Sequence, residues 1–156
     1  MNRQKGFSLI ELIVSLSIVG VLAATAVPVY NTWQQRAYGQ EATLMAKRIL
    51  DGQIIYYLEN NCFYPEDTTS QLFIIPDTDP TITQQNIEDV LRELKVSIPS
   101  GHGLTYQFDS YSLNDGKYFQ IMIDAGFPLF KGGDNRLVGT VDSSGKIVIY
   151  STFVGG

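Results

Sequence analysis

The sequence holds one cysteine, Cys62, and one histidine, His102, in 156 residues. A single cysteine excludes an intramolecular disulfide, and the pair supplies no Cys/His zinc spacing. Basic residues are also short, with 11 Lys and Arg against 16 Asp and Glu for a net charge of −5. They nowhere form the cluster that gripping a phosphate backbone requires, so no specific nucleic-acid binding is expected. No Ser-His-Asp order and no glycine-rich phosphate loop occurs, and His102 between two glycines reads as an exposed loop residue. The expectation is a protein that is not an enzyme and carries no cofactor.

Charge is scarcest in residues 7–30, where Glu11 is the only charged side chain in 24 positions. At about 1.5 Å per residue such a run crosses the hydrocarbon layer of a bilayer. Arg3 and Lys5 precede it, and positive flanks stay cytoplasmic, which puts the body of the chain outside the cytoplasm. Three readings compete. A secretory signal peptide is supported by the basic start and by the small residues Ala24-Thr25-Ala26. A plain signal anchor fits the length. Both leave Glu11 unexplained, because a carboxylate in lipid is expensive and serves neither.

The third reading accounts for the details together. Lys5-Gly6-Phe7-Ser8-Leu9-Ile10-Glu11 resembles the start of type IV prepilins and type II secretion pseudopilins, and the resemblance runs on to Pro28. It implies a leader, residues 1–6, removed by a prepilin peptidase between Gly6 and Phe7, with methylation of the new Phe7 amine. Gly6 suits a tight protease site because it has no side chain. Loss of the leader removes Arg3 and Lys5, leaving 9 basic against 16 acidic residues, net −7. Residues 7–30 would be a transmembrane and assembly helix and residues 31–156 a pilin-like globular domain. Glu11, one turn beyond Phe7 on the same helix face, would meet the amine of a neighbouring subunit and set register. Pro28 removes a backbone donor, and with Gly20 it would bound a segment that kinks or melts on assembly. The implied partners are the peptidase, other copies of the chain and related pilins, an inner-membrane assembly platform, and membrane lipid before assembly. The implied location is a single pass through the inner membrane, then a periplasmic or extracellular filament. Subtype stays open between major pilin, minor pilin and pseudopilin. One cysteine forbids the C-terminal disulfide loop of many adhesive pilins, and the Asp-Pro-Trp-Gly stretch of major pseudopilins is absent, the sole tryptophan being Trp33. Asp134 and Asn135, near where major pseudopilins hold calcium, read as a solvated turn, and no metal ligands are assigned.

Beyond the apolar run, residues 31–60 lack proline, and Ala42, Met45, Ala46, Ile49 and Leu50 recur at helical steps. Gly39 and Gly52 each weaken this helix by about 1 kcal/mol without stopping it; Asn60-Asn61 and Pro65 end it. The aromatic stretch 56–64 is expected in the core. There Cys62 is either a small buried hydrophobe or the site of an intermolecular disulfide. Pro76, Asp77, Asp79 and Pro80 mark a loop, and Thr83 is a candidate N-cap for a short helix over 84–96 with Ile87, Val90, Leu91 and Leu94 on its apolar face. From Leu104 the period becomes two. A hairpin turning at Asn114-Asp115-Gly116 and a second one over residues 136–152 turning at Ser143-Ser144-Gly145 give four antiparallel strands. The expected fold is therefore α+β: a pilin-like roll with one long helix, half membrane-embedded and half amphipathic, packed on a four-stranded antiparallel sheet. A short extra helix lies in the connecting loop.

Overall fold

The computed structural model of the chain describes residues 8–66, 71–74, 80–99, 103–113 and 116–154. Gly6, Phe7, Pro76, Asp77, Asp79, His102 and the Asn114-Asp115 turn lie outside these.

Helix α1 (Leu9–Asn60) is continuous over 52 residues, roughly 78 Å at 1.5 Å per residue. It opens on Ser8, whose backbone is extended, and closes on Asn61, whose left-handed conformation (φ 56°) lets its N–H bond the Tyr57 carbonyl at 2.8 Å. Asparagine tolerates this geometry better than other side chains, so the expected stop at Asn60-Asn61 is where the helix ends. Lys117 also donates to the Asn61 carbonyl, setting a cation against the negative end of the helix.

Only the distal part of α1 is covered. Ala42, Met45, Ala46, Ile49 and Leu50 are each at most 4% exposed, as their spacing predicts. Their partner is an antiparallel sheet of strands β1 (Gln71–Ile74), β2 (Leu104–Leu113), β3 (Gly116–Ala125), β4 (Arg136–Asp142) and β5 (Ile147–Thr152), in the order β1-β2-β3-β4-β5. The four strands read from alternation are present. Leu104, Tyr106, Phe108, Phe119, Ile121 and Ile123 are all 1% exposed or less, forming the face on which α1 lies. Each such side chain contributes about 1.5–3 kcal/mol on burial. Gly139 in β4 makes the contact close: a Cβ there would stand 2.9 Å from Leu50 Cδ1 and 3.0 Å from Ile121 Cγ2.

Two elements differ from expectation. Strand β1 is an added edge, pairing Gln71 to Asp109 through Ile74 to Tyr106; four residues between loops are too few for alternation to show. Helix α2 (Pro80–Leu94) starts earlier than residue 84. Pro80 is its first residue, where a missing N–H is harmless. Thr83 is not an N-cap but a buried side chain inside the helix, 7% exposed. Ile87, Val90 and Leu94 face the core while Leu91 points out at 47% exposure, and Lys95 (φ 58°) ends the helix before Val96.

The return from α1 to the sheet is held by Gln53, which is fully buried. Its side-chain amide donates to the Tyr64 carbonyl at 2.5 Å and accepts from the Tyr64 N–H at 2.9 Å. The Tyr56 hydroxyl bonds Glu66 at 2.7 Å, and Phe63 packs against Tyr57 and Phe119. Replacing Gln53 by Leu keeps most of its volume but orphans two backbone groups, each worth about 1–3 kcal/mol. Gln53→Leu should lower stability by about 2–4 kcal/mol in urea unfolding of the detergent-solubilised chain.

Candidate functional site

Every residue from Ser8 to Trp33 is exposed. Leu9, Ile10, Leu16, Val21 and Val29 show 74%, 71%, 63%, 68% and 69% of their surface, a degree of apolar exposure that soluble monomers avoid. This helix is long and apolar enough to cross a membrane. Its hydroxyls bond back to carbonyls of the preceding turn: Ser15 to Glu11 at 2.8 Å, Ser17 to Ile13 at 2.8 Å, Thr25 to Leu22 at 3.0 Å, and Thr32 to Pro28 at 2.9 Å. These four hydroxyls therefore do not need water, and the one charged group in the run is a carboxylate.

That carboxylate is Glu11, the third residue of α1, and it accepts the Ser8 N–H at 3.2 Å. A helix start carries unpaired N–H groups and a partial positive charge, so an acid there is well placed. Phe7 and Gly6, the expected partners at the processing point, precede the described residues. Gly20 and Pro28 both lie within unbroken helix. Pro28 leaves the Ala24 carbonyl without its i+4 amide, and a methyl built on Gly20 would meet nothing within 4 Å. Among the described residues no side chain needs glycine at that position.

The head grips α1 just beyond the exposed run. The β3–β4 loop, residues 126–133, brings the Phe130 carbonyl to Gln35 Nε2 at 2.7 Å and sets Phe127 edge-on to Tyr38, with centroids 5.1 Å apart. At Gly39 the loop comes so close that a Cβ would stand 2.4 Å from the Leu129 carbonyl oxygen. Asp134 closes the loop through its carbonyl, which accepts Leu129 N–H at 2.8 Å and Phe130 N–H at 3.1 Å; its carboxylate accepts the Ser151 hydroxyl at 2.6 Å. Asn135 bonds Val154 N–H at 2.9 Å and its carbonyl at 3.2 Å. Beside it, Arg136 forms an ion pair with Asp124 across β3 and β4, and that hydrogen bond raises the guanidinium pKa. Asp134 and Asn135 are thus structural clasps. Among the described residues no group of three His, Cys, Asp or Glu side chains converges as a metal site. Burial, with the nearby Glu66 carboxylate, pushes the Cys62 thiol pKa up against the opposing pull of Lys117. That leaves a half-buried thiol of low reactivity. Sequence reasoning read Gly39 only as a weak point of the helix and missed Gln35 and the contact of both with this loop, since the Gln35–Phe130 pairing spans 95 positions.

Comparison with known proteins bears on the same helix. The prokaryotic N-terminal methylation motif matches residues 1–27. The type IV major fimbrial protein FimA of Dichelobacter nodosus is 33% identical over 125 residues, covering 80% of this chain and 69% of that protein. The chain belongs to the type IV pilin family. The type IV major pilin protein PilE of Neisseria gonorrhoeae is 46% identical over 67 residues, and a fimbrial protein of Moraxella nonliquefaciens is 50% identical over 46. These two matches cover 43% and 30% of the chain and span only 40% and 30% of the relatives' lengths. No solved structure matches.

Gly39→Ala separates helix propensity from packing. Propensity alone favours alanine by about 1 kcal/mol, whereas the Leu129 carbonyl leaves no room for a methyl. The variant should melt below wild type in a thermal scan, with faster amide exchange over residues 126–133.

Proposed function

We propose that this chain is a structural subunit, major or minor, of a type IV pilus or pilus-like filament. It is processed by a prepilin peptidase and polymerised through α1. The observation that carries this reading is the division of one continuous helix into a half fixed in the head and a half that no other described residue covers. A bilayer covers the exposed half first and the α1 helices of other subunits cover it afterwards. Residues 1–6 are the leader, 7–30 the transmembrane and assembly helix, and 31–156 the head, held outside the cytoplasm next to the assembly platform. The segment between Gly20 and Pro28 is where α1 melts on assembly.

Glu11 has two states in this scheme. In the lone subunit it caps its own helix through Ser8, an exchangeable surface bond. In the filament it meets the Phe7 amine of a neighbour, where burial strengthens the pair and penalises any register that leaves it unmatched. A pseudopilin of a type II secretion system is the second reading, favoured by a C-terminal tail clasped through Asn135 without a disulfide.

Two measurements test the proposal. Mass spectrometry of the mature chain should find a methylated Phe7 at the N-terminus; an intact Met1 or a start at Val27 contradicts it. Removing one partner of a buried ion pair costs about 3–5 kcal/mol. Glu11→Gln should therefore lower filament yield by about tenfold or more while processing and membrane insertion stay normal. Unchanged yield removes the register role.

A further inference from the structure

The hydrogen bond by which the β3–β4 loop holds α1 falls at a particular depth. Tyr30 closes the apolar run, and Gln35, which holds the Phe130 carbonyl, follows five residues later, about 7.5 Å along the axis. The polar layer on each side of a bilayer is about 5–8 Å thick, so the β3–β4 loop lies at headgroup level. Two aromatic residues stand at that level unburied, Tyr30 at 60% and Trp33 at 67% exposure; amphipathic rings of this kind collect at the membrane–water boundary.

The charge at this edge runs against the composition. In a chain of net −5, Arg36 on α1 and Lys131 on the loop are both exposed, and neither has an ion pair among the described residues. They border a groove of about 550 Å³ between α1 and the loop, whose apolar wall includes Leu129 and Phe130. Cations over an apolar wall, beside interfacial aromatics, match a surface that is anionic outside and hydrocarbon beneath.

We propose that this edge, formed by Tyr30, Trp33 and Arg36 of α1 with Phe127, Phe130 and Lys131 of the loop, is a seat for anionic phospholipid headgroups. It holds the head against the bilayer before assembly. The inference rests on the reading of α1 as a membrane anchor. An acidic surface of a second copy is the competing occupant; interfacial depth and the aromatic pair favour lipid. Because the contact is electrostatic and shallow, salt weakens it and the subunit leaves it on extraction into a filament.

The test uses the full chain in lipid nanodiscs of phosphatidylcholine alone or with about 30% phosphatidylglycerol, a composition chosen for its surface potential. The amides of Leu129, Phe130, Gly132 and Gly133 are hydrogen-bonded inside the loop and serve as exchange probes. They should exchange about fivefold or more slowly in the anionic discs. High salt and the double variant Arg36→Gln/Lys131→Gln should each abolish the difference, with exchange in β2 and β3 unchanged. Equal exchange in the two lipids overturns the inference. So does protection that follows the number of chains per disc rather than lipid charge. A chain that fails to enter the discs overturns the anchor reading with it.

Discussion

One face of α1 between Gly39 and Tyr56 lies in the core of the head, and helix continuity makes whatever fixes it also fix the direction of the exposed half. The contact is tight because Leu50 sits over Gly139, where no side chain intervenes between helix and strand β4. A helix seated this closely cannot rotate without driving Leu50 into Ile121. The loop at Gly39 adds a second fixed point about 16 Å nearer the apolar half, by helix rise. Two separated contacts define an axis, and the head thereby aims a rod that it does not itself cover.

The stability that supports this aim comes from side-chain clasps rather than cross-links. Gln53 ties the chain's exit from α1 to the helix, Lys117 and Asn61 close the helix end, and Asn135 fastens the tail at Val154. Each joins a loop backbone to a regular element and satisfies groups that would otherwise be stranded. With one half-buried thiol and no disulfide, the head depends on these bonds at the places where a cystine would conventionally close a loop. Removing both partners of such a contact is tolerable; removing one is not.

Much of this was readable from the chain. The helical stripe from Ala42 to Leu50 and the alternating triplets of β2 and β3 mark their faces through period alone, and the capping behaviour of asparagine marks the end of α1. The limits are physical as well. Strand β1 is too short to alternate, and its pairing with β2 is decided by tertiary contact. Thr83 has the chemistry of a cap, but Pro80 offers an earlier start and burial recruits the threonine into the helix. Gly39 reads as a weak point by propensity, while its purpose is set by a carbonyl ninety positions away. At the assembly helix, Glu11 is conspicuous from charge alone. Its bond to Ser8 shows something spacing does not, namely that the acid already has a partner before any neighbour arrives.

That prior partner affects how register selection would work. An acid with no partner in the lone subunit would gain from any cation it met, matched or not. On the proposed scheme Glu11 would instead give up its bond to Ser8, one of the open N–H groups at a helix start, and would have to recover at least as much from the neighbour's amine. A misaligned subunit would lose the cap without completing the pair. The same reasoning extends to Gly20 and Pro28. Among the described residues nothing lies within 4 Å of a Cβ built on Gly20, and the Ala24 carbonyl already lacks its amide partner, so the helix from Gly20 to Pro28 is held by its remaining backbone bonds and the Thr25 hydroxyl. In hydrocarbon those bonds have no competitor and persist. Beside other subunits, carbonyls and amides can find new partners. Whether the segment stays wound would then be decided by its surroundings, which fits a helix proposed to serve first as an anchor and then as a filament core.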